Sequence, residues 1–456
     1  MKKVCTKGIL KMAVKITFKQ ILSMLLAFLA VLPLAGCTDS EISENSRTAP
    51  LETVTIQYEP KPEVPSEPEV PPEPEYIYRN TFEQNREAVD AAVDEIAKSY
   101  GVMGCSVAVF EKDSIVYTHS YGIARYNGLV KDGEKWSHTY TKSYADENTK
   151  YRVASISKLV TTFLAMKLVD KGELNLEDDI AQLINPALQN PYYPETPTTV
   201  EMLMSHTSGI VDGGGWDYAV SHVPFPSLDK VIKHGVFSGD RPGEKYCYSN
   251  IGMGLVAGAI EQASGQRFYD YADSALFEPM GIDAAYMTDY IEDRGSIAEL
   301  RQVDPLSWGK MEKYYTANIP LGQMYLLGQA ELYISAYDLA RIAIILAGDG
   351  TYEEKTYLSR ESLESMHKEH AFDAETNMTR GLAVQITPDI LEGVTLYGHQ
   401  ENAYGSISCV FYDPKTSCGV VFLTNGASAM KENNIYSVND AIVKEMWKYL
   451  QPEGKQ

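Results

Sequence analysis

The most constraining feature of the chain is a helical stretch with no polar face. Over residues 155–169 the apolar side chains of Ile156, Leu159, Val160, Phe163, Leu164, Met166, Leu168 and Val169 point in every direction around a helix. Such a helix has no side to give to water, so it belongs inside a large core with other elements around it. It opens on Ser155-Ile156-Ser157-Lys158, a serine and a lysine three residues apart. That spacing stacks both on one helical face, so the Lys158 amine can reach the Ser155 hydroxyl. Burial disfavours the lysine cation, and a neutral amine can serve a serine nucleophile as base. The first turn also offers a backbone N–H to a developing oxyanion.

The surrounding pattern supplies the layers. Residues 81–100 read as an amphipathic helix closed by Gly101, and 105–111 with 114–121 as a hairpin. Helical periods follow at 200–204, 251–263, 269–276, 337–346 and 361–369. Strand patterns return at 381–386, 394–399, 405–412 and 418–424, with a turn at Asp413-Pro414-Lys415-Thr416 and a closing helix near 441–450. Strands at both ends around a helical middle predict an α/β (α+β) fold. One antiparallel sheet is built from both chain ends, flanked by helices, with a helical subdomain inserted. No internal repeat is evident.

Charge narrows the partners. The 456 residues carry 62 acids against 40 lysines and arginines, a formal −22. Six of the lysines lie in the first 36 residues, which hold no acid, so the remainder stands at −28. Such a chain repels phosphate backbones, which excludes nucleic-acid binding through a broad basic face.

The lysine-rich start runs into an apolar stretch at 21–34, too short to span a bilayer comfortably but suited to a signal-peptide core. It ends in Leu34-Ala35-Gly36-Cys37, which resembles the lipobox of bacterial lipoproteins. That resemblance implies cleavage before Cys37, a lipid on its sulfur, and an extracytoplasmic, membrane-anchored protein. Residues 59–75 hold seven prolines and six glutamates, an extended semi-rigid spacer. The chain thus divides into a signal peptide (1–36), a spacer (37–78) and a catalytic domain (79–456). Cys105, Cys247, Cys409 and Cys418 are too few for a disulfide scaffold and fit no zinc spacing, with a single bridge left open. His367 and His370 read as a solvated surface pair.

Ser-x-x-Lys is weak by itself, recurring at Ser227/Lys230, Ser307/Lys310, Ser365/Lys368 and Ser428/Lys431. Tyr248-Ser249-Asn250 offers a phenol to shuttle protons and an amide to hold a carbonyl or the lysine. It too recurs, at Tyr78/Asn80, and reads equally as a turn capping a core helix. Context decides. Arg241-Pro242-Gly243, Tyr248-Ser249-Asn250, Glu261-Gln262-Ala263-Ser264-Gly265 and Phe277-Glu278-Pro279-Met280-Gly281 follow one another in order. With Met204-Ser205-His206-Thr207-Ser208-Gly209 and Ser335-Ala336-Tyr337-Asp338-Leu339-Ala340, they resemble the serine β-lactamase and penicillin-binding-protein superfamily. The nearest branch is the class C β-lactamase-like group, with its esterase and D-amino-acid peptidase members. The resemblance runs over roughly residues 79–450.

It implies a β-lactamase/transpeptidase-like fold and a role for each matching residue. Ser155 is the acylated nucleophile and Lys158 its base or proton partner. Tyr248 assists proton transfer, and Asn250 positions substrate. His206 has the identity of a serine-hydrolase histidine, but the resemblance assigns its motif to packing. The family's third motif is Lys or His, a variable residue, then Gly. Here it is His399-Gln400-Glu401, with Asn402 next in line to supply a second oxyanion N–H. No metal or organic cofactor is required.

The expected function is a cell-surface serine hydrolase acting on cell-envelope material or small esters and amides. Esterase, D-amino-acid ester or peptide hydrolase, D-Ala carboxypeptidase and β-lactamase share this chemistry, so the motifs leave them open. A catalytically silent, penicillin-binding-like sensor is the alternative of another class. Because strand side chains alternate, Glu401 should share the face of His399 and bring negative charge to the pocket. That predicts poor turnover of carboxylate-bearing penicillins and D-Ala peptides, and preference for neutral esters or substrates bearing an ammonium.

Overall fold

The hairpin near the start of the domain seeds a nine-stranded antiparallel sheet. The computed structural model describes residues 78–452 apart from 133–134, 140, 223 and 303–318. The signal segment, Cys37 and nearly all of the spacer lie outside the described residues. The strands are β1 (Gly104–Glu111), β2 (Ser114–Arg125), β3 (Ser143–Tyr144), β4 (Ala371–Asp373) and β5 (Met378–Arg380). They continue with β6 (Gln385–Leu391), β7 (Val394–Ala403), β8 (Ser406–Asp413) and β9 (Cys418–Thr424). Their order is β4-β5-β6-β7-β8-β9-β1-β2-β3, so the late strands meet the early hairpin where β9 pairs with β1. The expected sheet from both chain ends is present, with the helical region inserted between β3 and β4.

Alternation along the strands divides the core in two. Val107 and Val109 on β1 join Val93 and Ile442, from α1 (Arg86–Ser99) and α5 (Ser437–Trp447). Ala108 and Phe110 face the opposite way, into a larger core. That core holds α2 (Ser157–Asp170), α3 (Asn250–Ser264) and α4 (Ala336–Ala347). Each Val, Leu, Ile, Phe or Met side chain removed from water there contributes about 1.5–3 kcal/mol. Eleven of the fourteen residues of α2 are buried, as its lack of a polar face requires. α3 meets the chain at 324–328 through glycines. A Cβ on Gly254 would stand 1.9 Å from the Tyr325 carbonyl oxygen, so no larger residue lets the two backbones approach.

Several boundaries differ from expectation. The buried helix begins at Ser157, and Ser155 sits one step earlier on a 3-10 turn, Ala154–Ile156. The first helix starts at Arg86 after a turn at Glu83–Asn85. The strand expected at 381–386 begins only at Gln385, because Ala383 takes a left-handed φ of 53° and its N–H bonds the Met204 carbonyl. α5 starts four residues earlier than expected, its polar first turn held by Asn439, which donates to the Ser408 carbonyl. His367 and His370 are not a solvated pair. Burial pushes His367 down to about 4 as its Nε2 meets the Tyr412 hydroxyl, and His370 lies between Glu201 and the Ser365 carbonyl. Cys105, Cys409 and Cys418 are buried free thiols. Among the described residues, no helix is long and apolar enough to cross a membrane.

Candidate active site

Three segments far apart in sequence converge at the start of α2. The 3-10 turn carries Ser155, Tyr248 and Ser249 lead into α3 at Asn250, and β7 runs alongside with His399 and Glu401. Ala154 takes φ 41°, an unfavourable conformation for a side chain with a Cβ, and this backbone turn leaves Ser155 half-buried just before α2.

Lys158 is fully buried, and its Nζ has three acceptors: Ser155 Oγ at 2.8 Å, Asn250 Oδ1 at 2.9 Å and the Gln329 carbonyl at 2.8 Å. Three acceptors match the three protons of an ammonium. Burial opposes that charge and pushes Lys158 down to about 8, against the pull of Glu401 and Asp212. At pH 7 about a tenth of the molecules then hold the neutral amine. The Tyr248 hydroxyl donates to Ser155 Oγ at 2.7 Å. Although 38% of Tyr248 is exposed, its hydroxyl turns inward, where burial and then Glu401 raise it well above the ordinary phenol value. Tyr248 therefore rests as a phenol, and the base available to Ser155 is the Lys158 amine.

Asn250 is fixed from behind. Its Nδ2 donates to Asp212 at 2.6 Å, and the same carboxylate accepts the Ile251 N–H at 2.9 Å. Asp212 thus caps α3 and orients the amide so that Oδ1 faces Lys158. Burial raises its carboxyl, opposed by these hydrogen bonds. The sequence reading missed Asp212, which sits before three glycines with no recognisable spacing to the other motifs. It also missed the Gln329 carbonyl and the pair formed by Arg152 and Glu331, joined at 3.1 and 2.5 Å. The Arg152 guanidinium lies 4.6 Å from the Tyr404 ring centre, and its charge adds to the lowering of Lys158.

His206 takes no part in a serine–histidine pair among the described residues. Its Nδ1 accepts the Ser249 N–H at 3.2 Å and its ring lies 4.5 Å from that of Tyr248, so it braces the Tyr248 turn. His399 is buried, its Nδ1–H directed to the Gln400 carbonyl at 2.8 Å. Burial, and then Lys158 and Arg380, push it down to about 3, so it is neutral in ordinary buffers.

Glu401 shares that face and is only 8% exposed. Its carboxylate accepts a hydrogen bond from the Ser155 backbone N–H. Asn402 turns the other way, where it is exposed and meets the Tyr436 hydroxyl. Ser155, Lys158, Tyr248, Asn250, His399 and Glu401 thus come together, while the Asn402 side chain stands apart. A hydroxyl between a buried amine and a phenol is equipped for acyl transfer.

Comparison with known proteins identifies the family and the fold. Residues 89–442 match the family model described as Beta-lactamase. The chain is 30% identical over 183 residues to Penicillin-binding protein 4* of Bacillus subtilis (strain 168), covering 39% of this chain and 36% of that protein. It is 27% identical over 208 residues to D-alanyl-D-alanine-carboxypeptidase/endopeptidase AmpH of Escherichia coli (strain K12), covering 44% and 49%. The chain therefore spans less than half the length of these curated relatives. Among solved structures it is similar to a class C β-lactamase, with a TM-score of 0.60 and 17% identity over 81% of this chain and 99% of that one.

Proposed function

Since the chain belongs to the β-lactamase family, we propose that it is a serine hydrolase working through an acyl-enzyme on Ser155. The observation that carries this reading is the Ser155 hydroxyl held between Lys158 Nζ at 2.8 Å and the Tyr248 hydroxyl at 2.7 Å. The neutral Lys158 amine takes the Ser155 proton as Oγ bonds to the substrate acyl carbon. Tyr248 passes a proton to the departing alcohol or amine as its bond to that carbon breaks. Water then adds to the acyl-enzyme, giving up a proton through the same groups. The acid leaves and the Ser155 hydroxyl is restored. The oxyanion donors are the Ser155 N–H and the Asn402 N–H.

The substrates are esters or D-amino-acid-bearing material of the cell envelope, reached from a lipid on Cys37 across the 37–78 spacer. The relatives named as penicillin-binding protein and carboxypeptidase/endopeptidase support an envelope substrate outside the cytoplasm. One observation favours a second reading, a silent binding protein: the Ser155 N–H needed for catalysis is already bonded to Glu401. A fluorophosphonate probe followed by peptide mass spectrometry separates the two. Covalent label on Ser155, absent in Ser155→Ala, together with ester turnover supports the hydrolase. Folded protein that takes no label and turns over no ester is the silent form.

A further inference from the structure

Glu401 is a buried carboxylate that, among the described residues, forms no ion pair, and its hydrogen bond is to the one N–H that acyl transfer most needs. An oxygen anion on the Ser155 N–H stands where the oxyanion of a tetrahedral intermediate would form. The side chain therefore resembles a tethered reaction product seated in its own site. For a substrate carbonyl to take that N–H, Glu401 has to move aside.

The surrounding charges say what moves it. His399 and His206 are both held neutral by burial, Arg152 is paired with Glu331, and Arg380 with Asp373. That leaves Lys158 as the cation facing both carboxylates, and of the two Asp212 is already held by the Asn250 amide and the Ile251 N–H, so Glu401 is the one without a cationic partner of its own among the described residues. An α-aminoacyl ester or amide supplies one. Its ammonium sits one carbon from the acyl carbon, next to the carbonyl oxygen. When that oxygen displaces Glu401 from the Ser155 N–H, a short swing leaves the carboxylate beside the ammonium. A neutral acyl group offers no such partner, and a substrate carboxylate at this point repels Glu401.

We propose that Glu401 is a substrate-released latch: it occupies the Ser155 N–H in the resting protein and is drawn off by the α-ammonium of an aminoacyl substrate, which sets specificity for that class. This rests on the acyl-enzyme reading above. The test compares the full-length chain with Glu401→Gln and Glu401→Gly on alanine methyl ester, in both hands, and on methyl isobutyrate, its uncharged isostere. Wild type should favour one hand of the alanine ester by about tenfold or more in kcat/KM. Glu401→Gln should erase most of that preference. Glu401→Gly, whose N–H is unobstructed, should be phosphonylated at Ser155 faster than wild type by a neutral fluorophosphonate.

A wild-type preference for methyl isobutyrate overturns the latch. So does an unchanged ratio in Glu401→Gln, or a labelling rate in Glu401→Gly no higher than wild type, in variants whose melting curves show them folded. If the variants do not fold, the wild-type ratio alone decides. Failure of the underlying reading looks different: Ser155 takes no label in any of the proteins, or Ser155→Ala keeps its turnover.

Discussion

The Asp212 carboxylate holds the Asn250 amide at 2.6 Å, and through it fixes which end of that amide meets Lys158. Asp212→Ala removes that grip and the cap of α3. It should lower ester turnover by about tenfold or more through misplaced Lys158, and lower stability by about 1–3 kcal/mol. Steady-state kinetics and urea melts check both. Asp212→Asn isolates the charge. Asp212 raises Lys158, so its loss should move the rising limb of the pH profile to lower pH.

The pH profile of the wild type follows from Lys158. In the proposed mechanism the amine is the active form, and the group is pushed down to about 8, so kcat/KM should rise with pH and level off above that value. An acyl-transfer rate that falls across this range would remove Lys158 from the role of base.

Acid stability should follow the buried histidines. His399 stays neutral in the folded chain down to about 3, whereas unfolded histidine takes a proton near 6.5. Below 6.5 the unfolded state therefore binds the extra proton, and stability falls with falling pH by about 1.4 kcal/mol per unit for this one residue. His399→Gln should flatten that slope by the same amount in chemical melts between pH 6.5 and 4.

Gly254→Ala tests the contact between α3 and the chain near Tyr325. The added Cβ meets backbone at 1.9 Å, which no side-chain rotation relieves. The cost should be about 1–3 kcal/mol in a urea melt, with ester turnover reduced because α3 carries Asn250.

The anchor has its own test in cell fractions. Cys37→Ser should release the full-length chain from the membrane fraction or leave its leader uncleaved, with ester turnover per molecule unchanged. Wild-type chain found free in the medium without lipid on Cys37 would exclude the anchor.

Much of this was legible in one dimension. The apolar period around Leu159, Phe163 and Leu164 requires a deeply buried helix whatever surrounds it, and the early and late strand patterns require a sheet joined from both chain ends. Ser155, Lys158, Tyr248 and Asn250 lie in short motifs, and the i, i+3 spacing alone brings the first two together. Even the shared face of His399 and Glu401 follows from strand alternation.

Tertiary structure decided what crosses between segments. Asp212 reaches Asn250 only because the loop before Gly213 folds back onto the start of α3, and no local period encodes a contact between residues 38 apart. The Gln329 carbonyl is a backbone group, so residue identity carries no trace of its role. Local signals also mislead where backbone geometry wins: Ala383 turns left-handed to bond Met204 and cuts short an expected strand. Alternation could put Glu401 on the pocket side, but not onto the Ser155 N–H. That meeting depends on the packing of β7 against the 154–156 turn, a distance between chain segments 246 residues apart. Periodicity determines which face a side chain takes, whereas the partner it finds there is set by how separate elements pack.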